Sequence, residues 1–210
     1  MDKLLINKIT RKNGINYVWL SDGSKFSLPH SMFKSFPWKT GGIIESLDEL
    51  EAWKSKCDYK YAKNFALYML SIRARSRAEL ESALLTRGYS ETTALEIVSD
   101  FMKSGYIEDT QYASNFVRSS VEKGQGKYRI KAALRRKGLS NDDIENALNE
   151  QSDEQFAHSA LIWVRRLARG KDILQYKNQQ LIKSSLIRKG FSLDEAQRAL
   201  QEYITDQTTK

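Results

Sequence analysis

Apolar residues recur at helical spacing along the chain from about residue 60 onward. They stand three and four positions apart, which places them in a stripe on one face of each helix. Three such sets share the spacing i, i+3, i+4: Ala66-Met69-Leu70, Ala113-Phe116-Val117 and Ala157-Ala160-Leu161. The pattern predicts a chain built mainly from amphipathic α-helices.

One seven-residue phrase occurs three times in this helical part. The copies are LLTRGYS (84–90), LRRKGLS (134–140) and LIRKGFS (186–192). The glycine suits a left-handed helix end, and the residue after it is expected to pack on the leucine four positions before the glycine. The serine then caps the next helix, with a carboxylate at the capping-box position in the second and third copies only. The phrase predicts a helix stop, a turn and a helix start.

The phrase and the apolar helix before it define three repeats of three helices each. We assign residues 60–109 to the first repeat, 110–153 to the second and 154–210 to the third. A unit of this size buries little apolar surface by itself, so neighbouring repeats are expected to stack into an elongated array.

Residues 1–59 have a different pattern and are assigned to an N-terminal domain. Short runs rich in β-branched and aromatic residues are separated by KNG and SDG turn signals. They predict a three-stranded β-meander. A short helix is expected to end before Pro37, and a second helix is expected to begin after a capping Ser46.

The charge balance favours an anionic partner, most simply a nucleic acid. The 210 residues hold 34 Lys and Arg against 26 Asp and Glu, a formal net charge of +8. No apolar run of about 18 residues is present, so no membrane span is expected. A single cysteine and the lack of a signal-peptide core at the start of the sequence predict a cytoplasmic protein.

Basic residues are densest between positions 118 and 137, where Glu122 is the single acid. Seven of them form the first part of the predicted binding surface: Arg118, Lys123, Lys127, Arg129, Lys131, Arg135 and Arg136. Gly124 and Gly126 precede a predicted helix, where backbone N–H groups can approach a phosphate closely. The alternative is a solvated face with a flexible connection.

The third repeat extends the predicted surface with four more basic residues. They are Arg165, Arg166, Arg169 and Lys171. Arg165 and Arg169 share one helix face, which favours a continuing basic strip, although a solvated helix end explains them equally well. For the cations just before the repeated glycines, among them Arg136, Arg188 and Lys189, stabilisation of the helix C-terminus is a sufficient role.

No catalytic constellation is apparent in the sequence. His30 and His158 lie in different segments, and Cys57 has no second cysteine nearby. The stretch GQGK is not a Walker loop, because the G-x-x-x-x-G-K-[ST] spacing is absent. We therefore predict a protein that is not an enzyme and that has no cofactor and no metal site.

Three segments resemble the RecX family of recombination regulators. They are RARSRAELESALLTRGYS (73–90), DFMKSGYIEDTQYASNFVRSSVEKGQGKYRIKAALRRKGLS (100–140) and LIRKGFSLDEAQRAL (186–200). The resemblance implies a curved helical protein that binds the filament of the recombinase RecA on single-stranded DNA. It also implies a role in homologous recombination, DNA repair and the SOS response, usually by suppressing ATP hydrolysis and strand exchange.

The expected partners are thus the RecA filament and single-stranded DNA, with double-stranded DNA as a further ligand. We expect a monomer that does not bind membranes, and a basic strip on the concave side of the array. Two alternatives remain open at this stage. One is a plain DNA-binding protein that contacts phosphates, and the other is a helical scaffold for an unrelated acidic protein.

Overall fold

The computed structural model describes residues 3–208 and is mainly helical. Its four strands are β1 (Leu4–Lys12), β2 (Ile15–Leu20), β3 (Lys25–Pro29) and β4 (Ile43–Ile44). The helices are α1 (His30–Phe33), α2 (Leu47–Ile72), α3 (Arg77–Arg87), α4 (Glu91–Lys103), α5 (Asp109–Glu122), α6 (Lys127–Arg136), α7 (Asn141–Asn149), α8 (Asp153–Ala168), α9 (Tyr176–Arg188) and α10 (Leu193–Thr208). The predicted fold class, a small β-rich segment followed by three-helix repeats, is confirmed.

The N-terminal strands form an antiparallel sheet in the order β3-β2-β1-β4. The prediction of three strands was therefore one strand short. The missing strand, β4, is two residues long and pairs with the start of β1, where Leu4 lies opposite Ile44. A two-residue strand has no alternating pattern of its own, so only its long-range pairing reveals it.

Both predicted hairpin turns are present. Asn13 and Gly14 have φ angles of 52° and 77° between β1 and β2, and Gly23 has a φ of 85° between β2 and β3. In the second turn, the side chain and backbone N–H of Ser24 donate to the Asp22 carboxylate, which lowers the pKa of Asp22.

A β-bulge in β1 changes which residues of that strand face the core. The register shifts between Ile6 and Lys8, so Ile6 lies opposite Leu20 while Ile9 lies opposite Val18. These positions pack with Leu50 of α2 in the core beneath the sheet. The bulge thus lets even-numbered positions before it and odd-numbered positions after it share one face.

The chain divides between Ile107 and Glu108 into two compact units. The first contains the sheet and helices α1 to α4, and the second contains α5 to α10. Helix α2 runs without interruption through residues 59 and 60, so the first helix of the first repeat is the C-terminal part of α2. The division into four domains stays a prediction.

The repeated phrase folds in the same way in all three copies. Its glycines, Gly88, Gly138 and Gly190, have φ angles of 95°, 76° and 91°. After each glycine, the next N–H donates to the carbonyl of the leucine four residues before that glycine: Tyr89 to Leu84 (3.2 Å), Leu139 to Leu134 (3.3 Å) and Phe191 to Leu186 (3.2 Å). These six-residue closures are the Schellman endings that the sequence predicted.

The predicted helix caps are also formed. The hydroxyls of Ser90, Ser140 and Ser192 accept the backbone N–H three residues ahead at 3.3, 3.1 and 3.0 Å. Ser46 caps α2 in the same manner, with the Glu49 N–H at 3.1 Å. Each cap satisfies an N–H that has no partner within its helix.

Each repeat has its own apolar cluster. The cluster of the first contains Leu84 and Tyr89, that of the second Leu134 and Leu139, and that of the third Leu186 and Phe191. Every copy of the phrase therefore places its leucine and the residue after its glycine in the core. Within residues 3–208, no helix is long and apolar enough to cross a membrane.

Candidate anion-binding surface

The second and third repeats pack on each other through α8. Phe156 of α8 is buried in the cluster of the second repeat. The Ser159 hydroxyl donates to the Val121 carbonyl (3.3 Å), and the Trp163 indole N–H donates to the Gly124 carbonyl (2.8 Å). We call this contact region, formed by the α5–α6 loop, the start of α6, α8 and the end of α9, the repeat joint. Its hydrogen bonds fix the two repeats relative to each other.

The glycine-rich loop at 124–127 is closed against the end of α9. The Gly126 N–H donates to the Lys189 carbonyl (2.9 Å), and the Tyr128 N–H donates to the Gly190 carbonyl (3.0 Å). A Cβ atom on Gly126 would lie 2.3 Å from the Gly190 carbonyl carbon. The N–H groups of Gly126 and Tyr128 therefore have partners within the protein, and phosphate binding at this loop stays a prediction. Glycine is needed for the close approach of two backbones.

Positive charges converge at the repeat joint on one aromatic ring. The Lys189 Nζ lies 3.2 Å and the Arg166 Cζ 4.9 Å from the ring centroid of Trp163. On α6, the Arg129 guanidinium donates to the Arg188 carbonyl (3.4 Å). We call Arg129, Trp163, Arg166 and Lys189 the joint cluster.

The electrostatics of the joint cluster favour an anionic ligand. Burial lowers the pKa of Lys189, and the positive charges of Arg129 and Arg166 lower it further. No carboxylate of the described residues contributes to this shift. An anion bound here would relieve the mutual repulsion of the three cations and accept charge-assisted hydrogen bonds.

The opposite side of α6 has a different charge character. The Lys127 ammonium lies 2.5 Å from the Asp153 carboxylate, and Lys131 forms an ion pair with Glu145. The hydrogen bond from Lys127, followed by its charge, lowers the pKa of Asp153. Both lysines line a groove of about 670 Å³ whose acidic residues are Glu145, Asp153, Glu154, Glu195 and Glu202. Their charges are thus compensated within the protein.

The other predicted residues are dispersed over exposed positions. Arg118 donates to the Asn115 amide oxygen (2.7 Å), and Arg135 donates to that of Asn141 (3.2 Å). Arg165 lies 3.5 Å from Asp206. The side chain of Lys171 donates to the carbonyl at the end of α8, and Lys123, Arg136 and Arg169 are exposed.

The structure therefore brings Arg129 and Arg166 together, and it adds two residues that were not in the predicted set. The sequence predicts only a helix-end role for Lys189, and Trp163 is not among the predicted residues. The spacing of Trp163 and Arg166 by three residues on one helix was the available local signal. The approach of Lys189 has no local signal, because it comes from another helix.

Comparison with known proteins identifies the family. Family models of the first and second three-helix domains of RecX match residues 62–100 and 109–148. The crystal structure of RecX from Lactobacillus salivarius is 31% identical, covers 69% of this chain and 96% of its own, and has a TM-score of 0.65. The chain belongs to the RecX family.

Other RecX proteins match nearly the whole length of the chain. The regulatory protein RecX of Streptococcus uberis is 29% identical over 90% of this chain and 73% of its own length. That of Streptococcus gordonii is 27% identical over 93% of this chain and 76% of its own length. A further crystal structure of a regulatory protein RecX, 23% identical, covers 92% of this chain and 97% of its own with a TM-score of 0.63. It supports the same fold, and the predicted resemblance is confirmed.

Proposed function

We propose that this RecX-family protein regulates homologous recombination and DNA repair by binding the RecA filament on single-stranded DNA. It acts in the cytoplasm, without an enzymatic activity or cofactor of its own. The names of its relatives, each a regulatory protein RecX, support a regulatory role. The main structural support for contact with an anionic filament is the uncompensated positive charge of the joint cluster around Trp163.

The joint cluster contacts phosphates or carboxylates of the filament, and the exposed basic residues around it provide long-range attraction. Such attraction makes the affinity depend steeply on salt, because each neutralised phosphate releases counterions. Lys127 and Lys131 contribute less, since Asp153 and Glu145 already compensate their charges.

The regulation is inhibitory. The second and third repeats are held together by hydrogen bonds from Gly126, Tyr128 and Trp163 across the joint. Two repeats joined in this way, when they contact two neighbouring RecA protomers, keep the protomers at one spacing. They thereby oppose the protomer movement that accompanies ATP hydrolysis. It also competes with the second DNA strand for the same surface of the filament.

The test is ATP hydrolysis by the RecA of the same organism on single-stranded DNA, titrated with this protein. Inhibition well below one molecule per protomer supports filament regulation. A lack of effect at saturation, together with tight and salt-dependent binding to bare DNA, would instead favour a plain DNA-binding protein. Binding to an acidic protein in the absence of DNA and RecA would favour a helical scaffold.

A further inference from the structure

The N-terminal sheet has an outer face on the side opposite its core. Cross-strand pairing places Lys8 of β1, Trp19 of β2 and Lys25 of β3 side by side. Directly opposed residues in a sheet project from the same face. Lys12 lies four residues after Lys8 in the same strand and therefore shares this face. The outer face thus joins an aromatic ring with three lysines.

Positive charge on this face is not balanced within the strands. The face carries Lys8, Lys12 and Lys25, and strands β1 to β3 contain neither Asp nor Glu. The carboxylate of Asp22, in the turn between β2 and β3, accepts the backbone N–H of Ser24 at 2.9 Å and its hydroxyl at 2.7 Å. The lysines of the face are exposed, so their ammonium groups are accessible to a ligand.

The aromatic ring of the face remains accessible. Trp19 keeps 39% of its surface exposed in the middle strand of β3-β2-β1. The ammonium of Lys25 lies over this ring, 5.0 Å from its centroid. A flat aromatic ligand that carries negative charge can take the place of the ammonium over the indole, while the ammonium pairs with that charge.

We propose that this outer face binds single-stranded nucleic acid, with a base stacked on Trp19 and phosphates contacted by Lys8, Lys12 and Lys25. The three lysines match a polyanion, and the indole matches an unpaired base, whose π-face is free to stack. A duplex offers the charge without the free base. Neighbouring strands lie about 4.8 Å apart, so the Cα atoms of Lys8 and Lys25 are on the order of 10 Å apart, on either side of the Trp19 backbone. This binding is a property of the chain alone and does not depend on the filament.

The test is fluorescence anisotropy with labelled oligothymidine and the full chain, in the absence of RecA. Trp19→Ala should weaken binding about 5-fold to 100-fold, because it removes one stacked base. Trp19→Phe keeps an aromatic ring and should retain most of the affinity. Far-UV circular dichroism of both variants checks that the fold is unchanged.

The charge contribution is tested with two matched double variants. Lys8→Glu/Lys25→Glu should weaken binding. It should also make the negative slope of log K against log salt shallower by about 1.4, which corresponds to two lost phosphate contacts. Lys56→Glu/Lys60→Glu makes the same change at exposed positions of α2, away from the sheet, and should have a much smaller effect. Repeating the comparison in a protein that also carries Arg129→Glu/Arg166→Glu reduces the contribution of the joint cluster.

The outcomes separate this inference from the proposed function. Selective loss with Trp19→Ala and with the sheet variants supports the outer face, even if RecA turnover is unaffected by the protein. Equal losses for the sheet and control lysine variants would overturn it. Unchanged binding by Trp19→Ala would also overturn it. So would equal affinity for duplex and single-stranded DNA if Trp19→Ala alters neither affinity.

Discussion

Asp58 of α2 accepts hydrogen bonds from both the backbone N–H and the hydroxyl of Ser90, at 3.2 and 2.6 Å. In the third repeat, the equivalent N–H of Ser192 donates to the Glu195 carboxylate within the same helix, at 2.6 Å. The first repeat has Thr93 at the position of that glutamate. A buried carboxylate from another helix therefore supplies the missing half of the capping box and ties α2 to the start of α4.

Asp58→Ala should destabilise the first unit by about 1–3 kcal/mol, because it leaves the N–H of Ser90 unsatisfied beside the core. Asp58 is 2% exposed, so water does not readily replace the lost acceptor. Urea unfolding measures the change, with Glu51→Ala on the exposed side of α2 as the control. Equal midpoints for the two variants would contradict the role of Asp58.

Gly126→Ala should loosen the repeat joint, because the added Cβ would lie 2.3 Å from the Gly190 carbonyl carbon. Forcing the two backbones apart costs about 1–3 kcal/mol. Faster hydrogen exchange of the amides of Gly126 and Tyr128, both bonded to the end of α9, is the local measurement. Gly41→Ala is the control, since Gly41 has a φ of 81° and open space around it. Its backbone strain should leave exchange at the joint unchanged, and equal exchange in both variants would contradict the steric argument.

The joint cluster and the paired lysines of α6 should differ in their effect on RecA. Arg129→Gln/Arg166→Gln removes two charges from the joint cluster and should raise the concentration for half-inhibition of RecA turnover about tenfold or more. Lys127→Gln/Lys131→Gln removes the same charge from lysines that are paired with Asp153 and Glu145, so its effect should be smaller. ATPase titrations of the two variants give the comparison. Equal shifts would mean that net charge, and not the joint cluster, determines binding.

The pKa of His30 reports on the positive charges that surround its ring. Burial lowers the pKa of His30 below 6.5, and Arg11, Lys34 and Arg87 lower it further. The folded state therefore resists protonation of His30, so stability is fully present above about pH 6.5 and is lost as pH falls from there toward the folded pKa. NMR titration of Arg11→Gln should show a higher pKa for His30 than in the unmodified protein.

Lys12→Gln is the matched control for that titration. Lys12 follows Arg11 in β1 and projects from the opposite face, away from Asn16, which lies opposite Arg11 and whose amide is 3.5 Å from the His30 ring nitrogen. The control should leave the His30 midpoint in place. A shift of the same size in both variants would show that Arg11 acts only through the net charge of the sheet.

Features that depend on neighbours in sequence could be predicted. The Schellman ending at Gly138 and the cap at Ser140 need only residues within a few positions of each other, so the local pattern specifies them. The turn at Gly23 was predictable for the same reason. The basic character of residues 118–137 was also apparent, since it is a matter of composition.

Tertiary structure alone decided which of those charges act together. Lys189 joins Arg166 at Trp163 because α9 ends against α8, and Lys127 meets Asp153 because α8 begins beside α6. The same holds for the bond between Asp58 and Ser90, 32 residues apart in the chain. These contacts depend on how helices pack, and no periodicity within one helix encodes the side chain that a distant helix will bring. The sequence by itself determined the helices, their ends and the repeats, while packing decided which cations are paired and which remain available to a ligand.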